Sequence, residues 1–240
     1  MEEKDRQQEQ EAKVSKKNLI FQQIQSFISD RMELRFNTVK LTNEFRKRGE
    51  EEYKNFSDRH SASLLIELKE DSGLKFTQGD YNLILNSTMI KDFDPYQDYF
   101  ENLPIWNGED YIAKLAKYIN VDDAEDYVFA NQLKKWLVRA VKCALVEQYY
   151  NKQMLVFVGE EQSTGKSYFC NWLCPEELKD YISGESLKGK DESIQLTSNF
   201  LILYDEMAKL NQSGLEEVKE TLSKLIIKYR PPYARTEQTF

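Results

Sequence analysis

A glycine-lysine-serine triplet, Gly165-Lys166-Ser167, lies between two apolar segments of the chain. The loop that contains it spans residues 159–167 and reads GEEQSTGKS; QMLVFV precedes it and YFCNWL follows it. A short continuous apolar run predicts a strand buried on both faces, and the apolar residues after the loop predict the start of a helix. In this strand–loop–helix order, backbone N–H groups and the lysine converge on phosphate oxygens. The spacing therefore predicts a P-loop, a site for the phosphates of a nucleotide.

Two side chains of this triplet have expected chemical roles. Lys166 is expected to reach the β- and γ-phosphates and to act in catalysis, and the Ser167 hydroxyl is expected to ligate Mg²⁺. The residues expected to line the nucleotide are Gln162, Ser163, Thr164, Gly165, Lys166, Ser167 and Tyr168. The alternative is a chance triplet in a surface turn, which the flanking apolar segments disfavour. The sequence thus predicts ATP and Mg²⁺ as ligands.

The loop departs from the strict G-x-x-x-x-G-K-[ST] spacing. Gly159 precedes Gly165 by six positions rather than five, so Glu160 stands where the first glycine is usual. Either the loop is one residue longer, or Glu160 tolerates that backbone geometry with its carboxylate turned away from the phosphates.

A second motif follows about 40 residues later, by the spacing that P-loop proteins allow. The apolar run NFLILY at 199–204 predicts another buried strand, and it leads directly into Asp205-Glu206. In a Walker B motif, Asp205 would hold the magnesium ion and Glu206 would polarise the attacking water. Paired carboxylates after a strand can also be a solvated helix start, and the preceding P-loop favours the functional interpretation.

The elements that position these motifs are predicted to form an α/β fold. We divide the chain into a charged lead-in (1–18), an N-terminal α/β module (19–90), an acidic aromatic-rich linker (91–125) and a P-loop ATPase core (126–240), which is AAA+-like and incomplete. Apolar spacing predicts helices around residues 20–28, 61–70, 77–90, 109–119 and 126–150, a short strand within 32–41, and an extended connector over 91–108.

Charge and composition restrict the class of protein. The net charge is −8, and the stretch from Asp92 to Asp126 contains ten acids against two lysines. An acidic chain is a poor general binder of nucleic acid, although a local basic strip can still bind DNA. The bases of the helix at 126–150 are interpreted as its solvated face; they are Lys134, Lys135, Arg139 and Lys142.

Other residue types suggest no further site. Cys143, Cys170 and Cys174 lack the paired spacing of a zinc site, so we expect buried thiols. The single histidine, His60, is assigned no role. Residues 1–18 lack the apolar core of a signal peptide, and no apolar run approaches the roughly 18 residues of a membrane span. We therefore expect a cytoplasmic protein with no membrane partner.

Four segments together resemble the virulence-associated protein E family of phages, plasmids and genomic islands. They are PYQDYFENLPIWNGEDYI at 95–112, the loop block VFVGEEQSTGKSYFCNWLCP at 156–175, FLILYDEMAKL at 200–210 and YRPPYAR at 229–235. The first and last are more specific to that family than the two nucleotide motifs. The resemblance, which covers most of the chain from about residue 20, implies a P-loop ATPase related to superfamily 3 helicases. It also implies assembly into a ring and action on single-stranded DNA or a replication fork in mobile-element replication.

The resemblance carries three further residues into the candidate site. Lys219 precedes Arg230 by eleven residues, as in the family's helix followed by RPPY, but it can also be a solvated lysine on its helix. Arg230 and Arg235 could reach a phosphate, possibly of a neighbouring subunit, as arginines do in phosphoryl transfer. The interpretation we favour is that they hold the Pro231-Pro232 turn.

The same resemblance leads us to expect a C-terminally truncated core, because the family continues past residue 240 into a further strand, a polar sensor and later arginines. The leading hypothesis is an ATP-hydrolysing DNA motor or helicase. The alternatives are an ATP-dependent switch or assembly module that translocates nothing, and an inactive remnant.

Overall fold

A computed structural model of the chain describes residues 2–121, 126–146, 149, 151–159, 161, 163–184, 192–204, 212–223, 227–229 and 238–239. The fold is mixed α/β, with helices and three small sheets in the described part. The chain forms two compact units, Met1–Asp94 and Pro95–Phe240. The division of the chain into a lead-in, an N-terminal module, a linker and a core remains a prediction from the sequence.

The first unit packs three helices on one face of a four-stranded sheet. Its elements are α1 (Glu2–Arg31), β1 (Met32–Asn37), β2 (Thr42–Lys47), β3 (Lys54–Asn55), α2 (Asp58–Asp71), α3 (Gln78–Leu85) and β4 (Lys91–Phe93). The strand order is β3-β2-β1-β4; β1 is antiparallel to β2, with Leu34 opposite Phe45, and parallel to β4. The sequence-predicted helix around 20–28 is confirmed as part of α1, where Ile24 is fully buried.

The helices and the sheet share one apolar core, since side chains alternate between the two faces of a strand. Met32, Leu34 and Phe36 of β1 pack against the buried cluster that includes Ile24 and Leu68. On the opposite face, Glu44 accepts hydrogen bonds from Arg35 and from the fully buried Asn37, each at 2.7 Å. The buried carboxylate is thus paired and hydrogen-bonded, as burial of a charge requires.

Short polar side chains that bind nearby backbone set the ends of two predicted elements in this unit, and one predicted boundary was wrong. The short strand predicted within 32–41 is confirmed as β1, which ends at Asn37; the Oδ1 of Asn37 accepts from the amides of Val39 and Lys40 and turns the chain into β2. The helix predicted over 77–90 ends at Leu85; the Ser87 hydroxyl donates to the carbonyl of Ile84 and helps to end it.

The second unit contains mostly short elements. They are α4 (Pro95–Glu101), α5 (Tyr111–Ala116), α6 (Asp126–Leu145), α7 (Lys166–Trp172), a 3-10 helix (Glu176–Tyr181), β5 (Ile182–Ser183), α8 (Glu192–Ser198), β6 (Leu201–Ile202), α9 (Gln212–Leu222), β7 (Lys228–Tyr229) and β8 (Gln238–Thr239). β5 pairs in parallel with β6, and β7 pairs antiparallel with β8. Leu133 of α6 is fully buried.

The extended connector predicted over 91–108 is wrong over its middle, which forms α4. Pro95 is the first residue of that helix, a position where its missing N–H is not needed. Tyr96 and Phe100, one turn apart, both lie tilted against Phe200, with ring centroids 5.7 and 5.9 Å away. Aromatic packing therefore fixes a helix where we expected an extended chain.

The buried strand predicted at 153–158 is also wrong. The structure assigns no strand to residues 151–159, and Val156 and Val158 are 54% and 91% exposed. A strand needs a hydrogen-bonded neighbour, whereas β5 and β6 pair with each other within the described part of the chain. The second predicted strand, 199–204, is confirmed only at its centre, as β6.

The expectation of buried thiols holds for one cysteine. Cys174 is buried, and burial raises the pKa of its thiol. Cys170 is half-buried, and Cys143 on α6 is exposed. Among the described helices, none has the length and apolarity needed to cross a membrane.

Candidate functional site

The segment 159–167, which we call the GKS loop, turns sharply before α7 through left-handed backbone. Gly165 has φ 85° and ψ 8°, and Ser163 has φ 61°. Glycine adopts this region without the steric cost that other residues meet. Lys166 is the first residue of α7, and the amide of Phe169 donates to the carbonyl of Gly165 at 2.8 Å. The triplet is therefore placed at the junction between the loop and the helix.

The ammonium group of Lys166 is enclosed by the GKS loop. Its Nζ donates to the carbonyl oxygen of Glu161 at 3.1 Å and to Thr164 Oγ1 at 2.9 Å. Gly159 comes so close that a Cβ placed there would lie 3.2 Å from Nζ. Gly159, Glu161 and Thr164 thus lie close to the lysine ammonium, and the absence of a side chain at position 159 leaves space for it.

The residues after Lys166 face solvent. Ser167 is exposed, and the Tyr168 side chain is 77% exposed. Asn171 Nδ2 donates to the Ser167 carbonyl at 3.0 Å, and Lys179 Nζ donates to the Asn171 carbonyl at 2.6 Å. The first bond lies within α7, and the second reaches the carbonyl near the C-terminal end of α7 from the 3-10 helix that follows.

Aromatic side chains connect the GKS loop to α6. Phe157, just before the loop, lies 6.5 Å from Phe129 of α6 and 5.5 Å from Phe169 of α7 between ring centroids. Phe169 stacks on Trp172 at 6.2 Å. The loop is therefore held at both ends by edge-to-face contacts, which favour a defined geometry.

Polar contacts also anchor Gln153, which lies just before the GKS loop, to α6. The indole of Trp136 donates to the Gln153 carbonyl at 3.2 Å, and the Arg139 guanidinium donates to the Gln153 side chain. The solvated basic face predicted for α6 therefore has one exception, because Arg139 is half-buried and binds this segment. Lys134 is exposed and forms a 2.7 Å ion pair with Asp110.

The structure describes the second motif, residues 199–206, only as far as Tyr204. The amide of Phe200 donates to the Tyr181 carbonyl, and the amide of Leu203 donates to the Ser183 carbonyl, both at 2.7 Å. These bonds extend the β5–β6 pairing on both sides of β6. Asp205 and Glu206, which follow, lie outside the described residues.

The structure therefore brings together only part of the predicted site. It places Thr164, Gly165 and Lys166 in one cluster, with Ser167 next to it. Gln162, Arg230 and Arg235 lie outside the described residues, and Lys219 is exposed on α9. Within the described residues, no group of three or more His, Cys, Asp or Glu side chains could hold a metal ion.

Sequence reasoning missed two features of this cluster. The Glu161 carbonyl is a backbone group, so the residue type at position 161 does not predict its contact with Lys166. The aromatic support was detectable in principle, because Phe129, Phe157 and Phe169 stand in the predicted helix, the apolar run and the helix start. Their mutual contact required the fold.

Comparison with known proteins agrees with the resemblance seen in the sequence. The family model described as the virulence-associated protein E-like domain matches residues 100–240, which is more than half of the chain. This range includes the GKS loop, α6 and both nucleotide motifs. A search of the curated proteins gave no match. By the family match, this chain belongs to the virulence-associated protein E-like family.

Proposed function

We propose that the chain binds ATP with Mg²⁺ through the GKS loop and hydrolyses it, as a helicase-like motor acting on DNA during mobile-element replication. The observation that carries this proposal is the position of the Lys166 ammonium group inside the GKS loop. Membership of the virulence-associated protein E-like family supports the mobile-element context.

The contacts of Lys166 suit exchange for a phosphate. Its two partners, the Glu161 carbonyl and the Thr164 hydroxyl, are neutral oxygens. A positively charged ammonium group attracts an anionic phosphate oxygen more strongly than a neutral oxygen, by Coulomb's law, so Lys166 gains by turning to an anionic oxygen. A Cβ at Gly159 would lie 3.2 Å from the ammonium nitrogen, so the glycine leaves space for that group to move.

Hydrolysis requires groups that hold the metal and orient the water. Ser167 and Asp205 would hold Mg²⁺, and Glu206 would orient and polarise the attacking water. Bound magnesium would neutralise charge that develops on the phosphates. The backbone of residues 163–166 would fix the position of the phosphates through its N–H groups.

A second candidate function is an ATP-dependent assembly module that does not translocate DNA. The observation that favours it is the large exposed apolar surface of the second unit, where Ile105 is 99% and Trp106 is 72% exposed. Contiguous exposed apolar residues usually mark an interaction surface. Stimulation of ATP turnover by single-stranded DNA separates the two candidates, because only the DNA motor requires it.

The Glu206→Gln variant tests the proposed chemistry. Glu206 would act on water rather than on the nucleotide, so the variant should keep its ATP affinity and lose turnover. ATP titration and phosphate release, with and without single-stranded DNA, measure the two properties. Glu177→Gln is the matched control, since Glu177 lies on the 3-10 helix and should change neither property. Equal loss of affinity and turnover in Glu206→Gln, or no turnover by the unmodified chain, would contradict the proposal.

A further inference from the structure

An apolar loop of the second unit extends into solvent. Every residue from 101 to 111 is exposed, including Leu103, Ile105 and Trp106 at 46%, 99% and 72%. We call residues 102–108 the apolar loop. Tryptophan and isoleucine side chains placed together in water lose the free energy that burial would give them. Such a group of residues is typical of a protein contact.

Local hydrogen bonds hold the apolar loop in this exposed conformation. Trp106 Nε1 donates to the Glu109 carbonyl at 2.7 Å, and the Glu109 amide donates to Asn107 Oδ1 at 3.0 Å. The Asn107 side chain also donates to the Tyr111 hydroxyl at 2.6 Å. Gly108, with φ 89°, supplies the left-handed turn that these bonds require. The conformation is therefore fixed in advance, which lowers the entropy lost on docking.

The outer face of α6 presents a second apolar surface, opposite the buried stripe that includes Leu133. Its exposed residues fall within about 100° of the helix, by the 3.6-residue period; they are Tyr127, Val128, Asn131, Lys135, Val138, Lys142 and Leu145. The side chains of Val138 and Leu145 are 58% and 43% exposed. We call this set the outer face of α6.

The two surfaces carry opposite charge. Residues 95–110 contain four acids and neither lysine nor arginine. Glu109 and Asp110 form ion pairs with Lys114 and Lys134, whereas Asp98 and Glu101 accept hydrogen bonds from the neutral side chains of Asn102 and Gln97. The outer face of α6 contains two lysines and no acid. Apolar side chains are thus flanked by acids on one surface and by lysines on the other.

We infer that the apolar loop of one copy of this chain docks on the outer face of α6 of a second copy. A second copy is the partner that fits, because one chain carries both complementary surfaces. Complementary charges would orient the encounter, and Ile105 and Trp106 would supply the buried centre of the contact. This inference goes beyond the proposed function, since it involves neither the nucleotide nor the GKS loop.

Sedimentation velocity of the full chain without nucleotide, over a wide range of protein concentration, tests this contact. The unmodified chain should associate as its concentration rises. Ile105→Glu and Val138→Glu should each weaken self-association by at least about tenfold, because each places an uncompensated charge in the contact. Leu83→Glu is the matched control; Leu83 is 60% exposed on α3 in the first unit. All three positions are exposed, so the substitutions should leave the fold intact by circular dichroism.

Mixing the two variants gives the sharper result. A copy with Val138→Glu still has an intact apolar loop, and a copy with Ile105→Glu still has an intact outer face. The mixture should therefore associate more tightly than either variant alone. The inference is overturned if the unmodified chain stays monomeric, if Ile105→Glu associates like Leu83→Glu, or if mixing restores nothing.

Discussion

At the residue scale, Gly165 and Lys166 set the geometry of the GKS loop through different means. Gly165 contributes a backbone conformation, φ 85°, that directs the chain into α7. Lys166 contributes a charge that the loop encloses on the side of Gly159 and Thr164. The two residues therefore act together, because the turn at Gly165 positions Lys166 at the start of α7.

Replacing Gly165 by alanine should destabilise the loop through the backbone alone. An added Cβ would meet no atom within 4 Å, but φ stays at 85°. A non-glycine residue in this region costs roughly 1–2 kcal/mol, so ATP affinity should fall by roughly 5- to 30-fold. ATP titration measures this loss. Gly184→Ala is the control, since its added Cβ also meets no atom and its φ is not left-handed. Equal affinities in the two variants would show that the left-handed turn does not matter.

Lys166 could be singled out from the sequence because the GKS motif specifies a lysine at this position. Its contact with the Glu161 carbonyl could not, because any residue at 161 offers the same carbonyl. Cys143 shows the opposite case: its residue type is usually buried, but it is exposed on α6.

At the element scale, side chains at helix ends decide where several elements begin. Ser57 caps α2: its hydroxyl lies 2.9 Å from His60 Nδ1 and accepts from the His60 amide at 3.5 Å. The His60 ring also lies 4.7 Å from the Phe45 ring. The histidine to which the sequence assigned no role therefore closes a capping box and covers part of the core.

The Ser57→Ala variant should destabilise the first unit by about 1 kcal/mol, the usual effect of losing a cap. Ser57→Asp should retain most of the stability, since aspartate is an equally good N-cap acceptor. Urea denaturation followed by circular dichroism compares the two variants. If alanine and aspartate gave the same midpoint, the hydroxyl would have no capping role.

Helices were predictable where one face repeats at the helical period, as in α2 and α6. Strands were less predictable from the sequence, because a strand depends on its hydrogen-bonded partner strand rather than on its own composition. Residues 153–158 have the composition of a buried strand and form none, whereas the polar segment of β2 forms six residues of strand opposite β1. The pairing partner decided both outcomes, and the partner is not encoded locally.

At the scale of the whole molecule, paired acids are distributed over both units. Nearby donors lower the pKa of four carboxyls, three of them exposed and one, that of Asp80, half-buried. The largest causes are the side-chain hydrogen bonds of Arg46 to Glu33, Lys54 to Glu50 and Lys134 to Asp110, and the backbone hydrogen bond of Thr77 to Asp80. Each carboxyl has a folded pKa below its unfolded value, so each contributes stability that is complete above the unfolded pKa. That contribution is lost as the pH falls through the folded pKa.

Acidification should therefore destabilise the fold below about pH 4, the range in which unperturbed carboxyls titrate. Asp80→Asn should flatten this dependence, because it removes a carboxylate that accepts from the Thr77 amide at 2.9 Å. Unfolding midpoints in urea at a series of pH values measure the effect. Glu70→Gln, on the exposed surface of α2, is the control. The same slope in both variants would contradict the role given to Asp80.

The family of the whole molecule was predictable from four sequence segments, and the match over residues 100–240 confirms it. The first unit lies wholly outside that match, so the prediction of its fold rested on local patterns alone. The division of the chain near Asp94 follows from contacts made by β4 with β1, residues that are more than fifty positions apart. Distant pairing of this kind leaves no signal in either segment.

The central claim is that Lys166 holds the phosphates of ATP, and a titration of the full chain with fluorescent ATP and Mg²⁺ tests it most directly. Lys166→Ala should bind at least about tenfold more weakly, equivalent to about 1.4 kcal/mol. Lys69→Ala removes the same charge from the exposed end of α2 and should bind like the unmodified chain. Unchanged affinity in Lys166→Ala, or an equal loss in both variants, would contradict the assignment of the GKS loop as a nucleotide site.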